Sequence, residues 1–172
     1  MTTILGVDPG SRKTGFGILR IERGRVAYVA SGTIRLPVRE ALATRLSVLF
    51  EELTEIIDAY APTEAAIEQV FMAKSADSAL KLGHARGAAM VACVTKGLIV
   101  HEYAARQIKQ SVVGTGAATK QQVQHMVVAL LGLSEAPAED AADGLAAALC
   151  HCHAAGLSNA LSASGFRAGR LR

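Results

Sequence analysis

Four carboxylates sit among apolar neighbours, where acids are uncommon. Asp8 closes the run ILGVD, and Glu68 lies near the end of EAAIEQV. Asp140 and Asp143 stand three apart in EDAADGLAAALCH, a spacing that puts both on one face of a helix. A buried acid is costly, and several close together repel unless protonated or bound to a cation. If the four converge, a ligand set made of oxygen alone favours Mg²⁺ or Mn²⁺ over zinc. Two strand-end acids and a helical D-x-x-D suit a pair of divalent ions acting on a phosphate ester. Each acid also has a plainer use. Asp8 could cap the Pro9-Gly10 turn, Glu68 could be a surface residue at a strand end, and the aspartates could simply meet a helix dipole.

The cations are unevenly spread. Residues 71–125 hold Lys74, Lys81, Arg86, Lys96, Arg106, Lys109 and Lys120 against only Asp77 and Glu102, although the whole chain carries just +3. A basic middle beside acidic clusters suits a polyanion partner whose chemistry still needs carboxylates, and solvated helix faces are the alternative. Arg12 and Lys13, just past the Pro-Gly turn, are placed to meet phosphate or to lie free in solvent.

To bring these groups together the chain must supply strands and helices in a particular order. Residues 3–8 read as a buried strand, and 14–22 and 25–36 as two more, joined by Arg23-Gly24 as a hairpin. Leu42, Leu46, Leu49, Leu53, Ile56 and Tyr60 recur at steps of three and four, predicting a helix over Val38–Tyr60 that Pro62 ends. A strand over 64–70, a helix over 75–97 and a strand LIVHE follow, then a short helix over 104–110. Thr119 is an N-cap for a helix over 120–131, and Pro137 precedes a last helix ending near His153. This β-β-β-α-β-α-β-α-α-α order predicts an α/β fold, a five-stranded mixed sheet covered by helices. A single domain is expected over 1–156, with a loose tail over 157–172.

At 172 residues and 51% hydrophobic, the chain is large enough for one well-packed core and carries no run long enough for a membrane span. No signal-peptide pattern follows Met1. Three cysteines, an odd number, suit reduced thiols and a cytoplasmic location. The CHCH at 150–153 cannot close around one ion without other ligands, because successive helical residues point about 100° apart. It is expected to serve helix packing and the surface. His84, His101 and His125 show no metal spacing among them and are assigned to helix faces or a strand end.

The chain resembles the RuvC family of bacterial Holliday-junction resolvases, within the ribonuclease H-like superfamily. The similarity runs through GVDPGSRKTGFG, IEQVFMAKSADSALKLGHARG, YAARQIKQSVVGTGAATKQQVQHMV and EDAADGLAAALCHCH. It implies a ribonuclease H-like sheet and a structure-specific endonuclease of recombination and repair. Such an enzyme resolves four-way junctions by paired symmetric nicks through two-metal-ion hydrolysis. By resemblance Asp8, Glu68, Asp140 and Asp143 bind two Mg²⁺ per site, with Mn²⁺ as a substitute, and Lys109 and Lys120 support catalysis and touch DNA. Phe71 would stack on an unpaired base, with Lys74, Lys81, Arg86, Arg12 and Lys13 as further expected DNA contacts. The resemblance also implies a homodimer and a RuvA–RuvB branch-migration complex as partner. The small-residue face Ala79, Gly83, Gly87 and Met90 is the candidate dimer interface, and packing on the sheet is its alternative use. An ATP-handling relative of the actin-like or sugar-kinase type shares the first motif, but those enzymes need two lobes and 172 residues are too few.

Overall fold

The computed structural model describes residues 1–69 and 75–156. Phe71, Lys74 and the expected tail over 157–172 lie outside the described residues. The elements are β1 (Thr2–Asp8), β2 (Lys13–Glu22), β3 (Arg25–Arg35), α1 (Leu42–Tyr60), β4 (Glu64–Gln69), α2 (Ala76–Thr95), β5 (Ile99–Ala104), α3 (Ala105–Val113), α4 (Lys120–Leu131) and α5 (Glu139–Ala154). Their order is the expected one. The ends differ where local chemistry intervenes. Helix α1 starts at Leu42 rather than Val38, because the chain after Pro37 first makes a turn in which Glu40 N–H donates to the Pro37 carbonyl at 2.9 Å. Helix α3 runs on to Val113, where Gly114 at φ 88 stops it.

The sheet order is β3-β2-β1-β4-β5. β1, β2 and β3 pair antiparallel, while β1–β4 and β4–β5 pair parallel, so the sheet is mixed. Arg23 and Gly24 both take positive φ, at 50° and 76°, as a two-residue hairpin turn of matching twist requires. Thr119 caps α4 with a capping box, its hydroxyl accepting from Gln122 N–H while the Gln122 side chain accepts from Thr119 N–H.

Strand alternation splits the core into two layers. Ile4, Leu19, Ala66 and Tyr103 face α3, α4 and α5, whereas Leu5, Val7, Ile18 and Ile67 face α1 and α2. Helix α5 is buried almost continuously from Ala141 to Cys152 and crosses the middle of the sheet. No helix of the described residues is long and apolar enough to cross a membrane. Cys93, Cys150 and Cys152 are buried free thiols, and burial pushes Cys93 and Cys152 up to about 12, which keeps them unreactive.

Candidate active site

The period of two that puts Ile4 under α5 also puts Gly6 and Asp8 there. On β4 the same parity carries Glu68 to the face of Ala66. Helix α5 can lie directly on these strands because the residues between them lack side chains. A Cβ on Gly6 would land on the Gly144 carbonyl oxygen, and one on Gly15 on the Asp140 carbonyl oxygen. Gly15 pairs with Asp8 across β1 and β2. The glycines of the first motif thus leave room for the first turns of α5 rather than cradling a phosphate.

This close approach sets Asp143 beside the two strand-end acids. Asp8, Glu68 and Asp143 line a cavity of about 240 Å³ together with Lys109 and Lys120. Lys120 Nζ donates to Asp143 Oδ2 at 3.0 Å and lies 2.9 Å from Glu139 Oε1. Burial, then the negative charges of Glu68 and Asp143, push Asp8 up to about 8 against the opposing pull of Lys120. Glu68 is raised to about 7, again chiefly by burial and then by Asp143, with Lys120 and Lys109 pulling it down. Asp143 is also raised by burial, which outweighs its hydrogen bond from Lys120. Burial works against the Lys120 ammonium, yet its bonds to Glu139 and Asp143 prevail and raise its pKa. Burial and mutual repulsion raise all three acids, which makes this a site in need of positive charge.

Asp140, the fourth expected acid, borders the cavity rather than lining it. It lines a neighbouring groove of about 690 Å³ with Arg12, Lys13 and Arg35, and its Oδ2 lies 3.7 Å from Lys13 Nζ. Its charge still raises Asp8 and Asp143 from that position. The groove therefore joins the expected cations Arg12 and Lys13 to the acid cavity through one helix turn. Two other expected DNA contacts are already engaged within the protein. Lys81 bonds Asp77 at 2.6 Å on α2, and Arg86 pairs with Glu102 of β5. Phe71 and Lys74 fall outside the described residues.

The acid cavity fits divalent metal by its chemistry. Its donors are all carboxylate oxygens, and metal binding would offset the burial, and then the repulsion, that raise their pKa values.

Sequence reasoning missed two features. Glu139 shares Lys120 with Asp143, a partnership set by how α4 meets α5. The other is a second polar cluster on the same sheet face. The assignment of CHCH to packing and surface covers the buried cysteines and His151, which is 1% exposed, but gives no hint of the polar partners His151 meets. Its Nδ1 is 2.7 Å from the Tyr103 hydroxyl and its Nε2 is 2.8 Å from Glu64 Oε2. His101, assigned to a strand end, stacks on it at 4.3 Å from within β5. The available signal was strand parity, since Glu64 shares a face with Glu68 and His101 with Tyr103.

A family model described as "Crossover junction endodeoxyribonuclease RuvC" matches residues 4–151. A protein of that name from Teredinibacter turnerae is 64% identical over 157 residues, covering 89% of each chain. One from Saccharophagus degradans is 60% identical over 172 residues, covering 99% of each. Among solved structures, that of Thermus thermophilus RuvC in complex with Holliday junction substrate superposes with a TM-score of 0.83 at 30% identity, over 90% of this chain and 95% of that one.

Proposed function

This chain belongs to the RuvC family of crossover junction endodeoxyribonucleases, and from that premise we propose that it cuts four-way DNA junctions at the cavity of Asp8, Glu68 and Asp143. The observation that carries the assignment is the meeting of three mutually repelling carboxylates with two lysines in one small cavity. A site with that charge balance takes up divalent cations, and those cations in turn accept a phosphate.

When divalent ions are bound there, they supply a polarised water as nucleophile and neutralise the departing oxygen. The rest is the work of this chain. Asp8 is held by a central strand that pairs on both sides, so its oxygens stay in place through a turnover. Lys120 grips Asp143 through Oδ2 and keeps that carboxylate turned toward the cavity. Lys109 lines the cavity wall, where an ammonium attracts the scissile phosphate and stabilises charge gathering on it. Arg12 and Lys13 extend the cationic track along the adjoining groove, and Asp140 keeps Lys13 within reach of it. The remaining walls, Ala105, Ile108 and Val123, exclude bulk water and sharpen these fields.

Mg²⁺ is the ion we assign, two per site, held by Asp8, Glu68, Asp143 and the adjacent Asp140, with Mn²⁺ as substitute, on the oxygen-only donor set. Symmetric nicks on a two-fold junction call for two sites, hence a homodimer, and the RuvA–RuvB complex is its proposed partner. A cytoplasmic location follows from work on chromosomal DNA in a bacterium. The test is a synthetic four-way junction incubated with the protein and Mg²⁺, beside a linear duplex. Paired nicks confined to the junction are expected. Nicking without divalent metal, or equal cutting of the duplex, would overturn the reading.

A further inference from the structure

Glu64, His101 and His151 form a second polar centre, some 12 Å along α5 from Asp143 by helical rise over eight residues. We propose that this cluster is a transition-metal site that takes Zn²⁺, separate from the acid cavity and independent of the reading of that cavity. Glu64 Oε2, His101 Nε2 and His151 Nε2 all lie within 4.8 Å of one another. His151 Nε2 is 2.8 Å and His101 Nε2 3.3 Å from the same carboxylate oxygen. Metal bonds of about 2.0–2.1 Å in a tetrahedron separate ligand atoms by about 3.3 Å, so small side-chain shifts complete the geometry.

One nitrogen of the cluster lacks a partner without a cation. Both imidazoles aim at one oxygen, and His101 Nε2 is buried with no hydrogen-bond partner among the described residues. An ion between the three would give His101 Nε2 a partner and replace the His151–Glu64 hydrogen bond with metal bonds from both. The supporting shell is in place as well, because the Tyr103 hydroxyl engages His151 Nδ1 at 2.7 Å and fixes the ring with Nε2 toward Glu64. Two imidazoles and one carboxylate are a zinc donor set, and nitrogen ligands disfavour Mg²⁺. His101 and Glu64 are partly exposed, which gives an ion a way in and a position for water as fourth ligand. Bound there, the ion ties β4, β5 and α5 together at the end of the sheet away from the catalytic acids.

The test is calorimetric titration of Zn²⁺ into the chelator-stripped full chain, with melting temperature followed in parallel. Wild type should bind one Zn²⁺ saturably and melt higher with it. Asp8→Asn with Asp143→Asn should leave that binding unchanged. His101→Ala and Glu64→Gln should each weaken it by about tenfold or more, at least what loss of a supporting partner costs. Both positions are partly exposed, and circular dichroism checks that each variant folds. Absence of saturable binding by wild type overturns the proposal, as does binding that survives both ligand variants or disappears with the aspartate pair.

Discussion

Asp8 is the residue on which burial and repulsion press hardest, and its pH behaviour follows with a definite sign. Its folded pKa of about 8 lies above the usual 3.8, so between those values the folded chain holds a proton that the unfolded chain releases. Stability from this group is full at low pH and is lost as pH rises through about 8. Glu68, raised to about 7, acts the same way over a narrower window. In chelator, the melting temperature should therefore fall from pH 5 to pH 8, by the equivalent of roughly a few kcal/mol. Asp8→Asn should flatten much of that slope, and Mg²⁺ should restore wild type at pH 8 while leaving the variant little changed. An equal slope in both proteins would remove the link between Asp8 and the metal cavity. Lys120 gives a second prediction at this scale. Lys120→Met frees Asp143 and Glu139, so cleavage should drop on the order of 10²-fold while junction affinity, measured by gel shift, changes little. Asp8, Glu68 and Asp143 were legible because acids among apolar neighbours are costly without a purpose. D-x-x-D sets Asp140 on the same helix face as Asp143, but not how far each carboxylate reaches.

At the scale of elements, α5 is the beam that holds both polar centres over the sheet. Its order, and that of the other elements, could be read from apolar periodicity and turn residues. Its depth could not, because the contact depends on absent side chains at Gly6, Gly15 and Gly144 that only face one another in three dimensions. Gly15→Ala tests this contact. The new methyl would meet the Asp140 backbone, so α5 must shift away from β2 just where it presents Asp143. A loss of about 1–3 kcal/mol in stability is expected, as for overpacked cores. Cleavage should fall by much more than that loss explains at temperatures where the variant stays folded. A folded variant with wild-type cleavage would show that the helix need not sit so close. His151 belongs to the same lesson: the sequence pointed only to helix packing, while its partners Glu64, His101 and Tyr103 are set by the parallel register of β4 and β5.

At the scale of the whole molecule, two faces differ in kind. One end of the sheet gathers the acids beside Lys109, Lys120 and the Arg12–Lys13 groove, whereas the far layer exposes an apolar groove of about 550 Å³ between α1 and α2. Ala79, Gly83 and Gly87 border that groove with open space over both glycines, while Met90 turns inward against the core. Three of the four residues expected at a dimer interface are thus available, and Leu80 beside them is 65% exposed. A two-fold contact uses the same patch on both copies, and close approach of two α2 helices needs small residues at the centre with apolar ones around them. Leu80→Arg sets like charges against each other across such an axis without touching the core of either copy. The variant should melt as wild type and run as a monomer by light scattering. Junction cleavage should then lose its pairing, with single nicks accumulating where wild type gives two. A variant that stays dimeric would move the interface elsewhere, and a monomeric wild type that still pairs its nicks would separate symmetric cutting from dimerisation altogether.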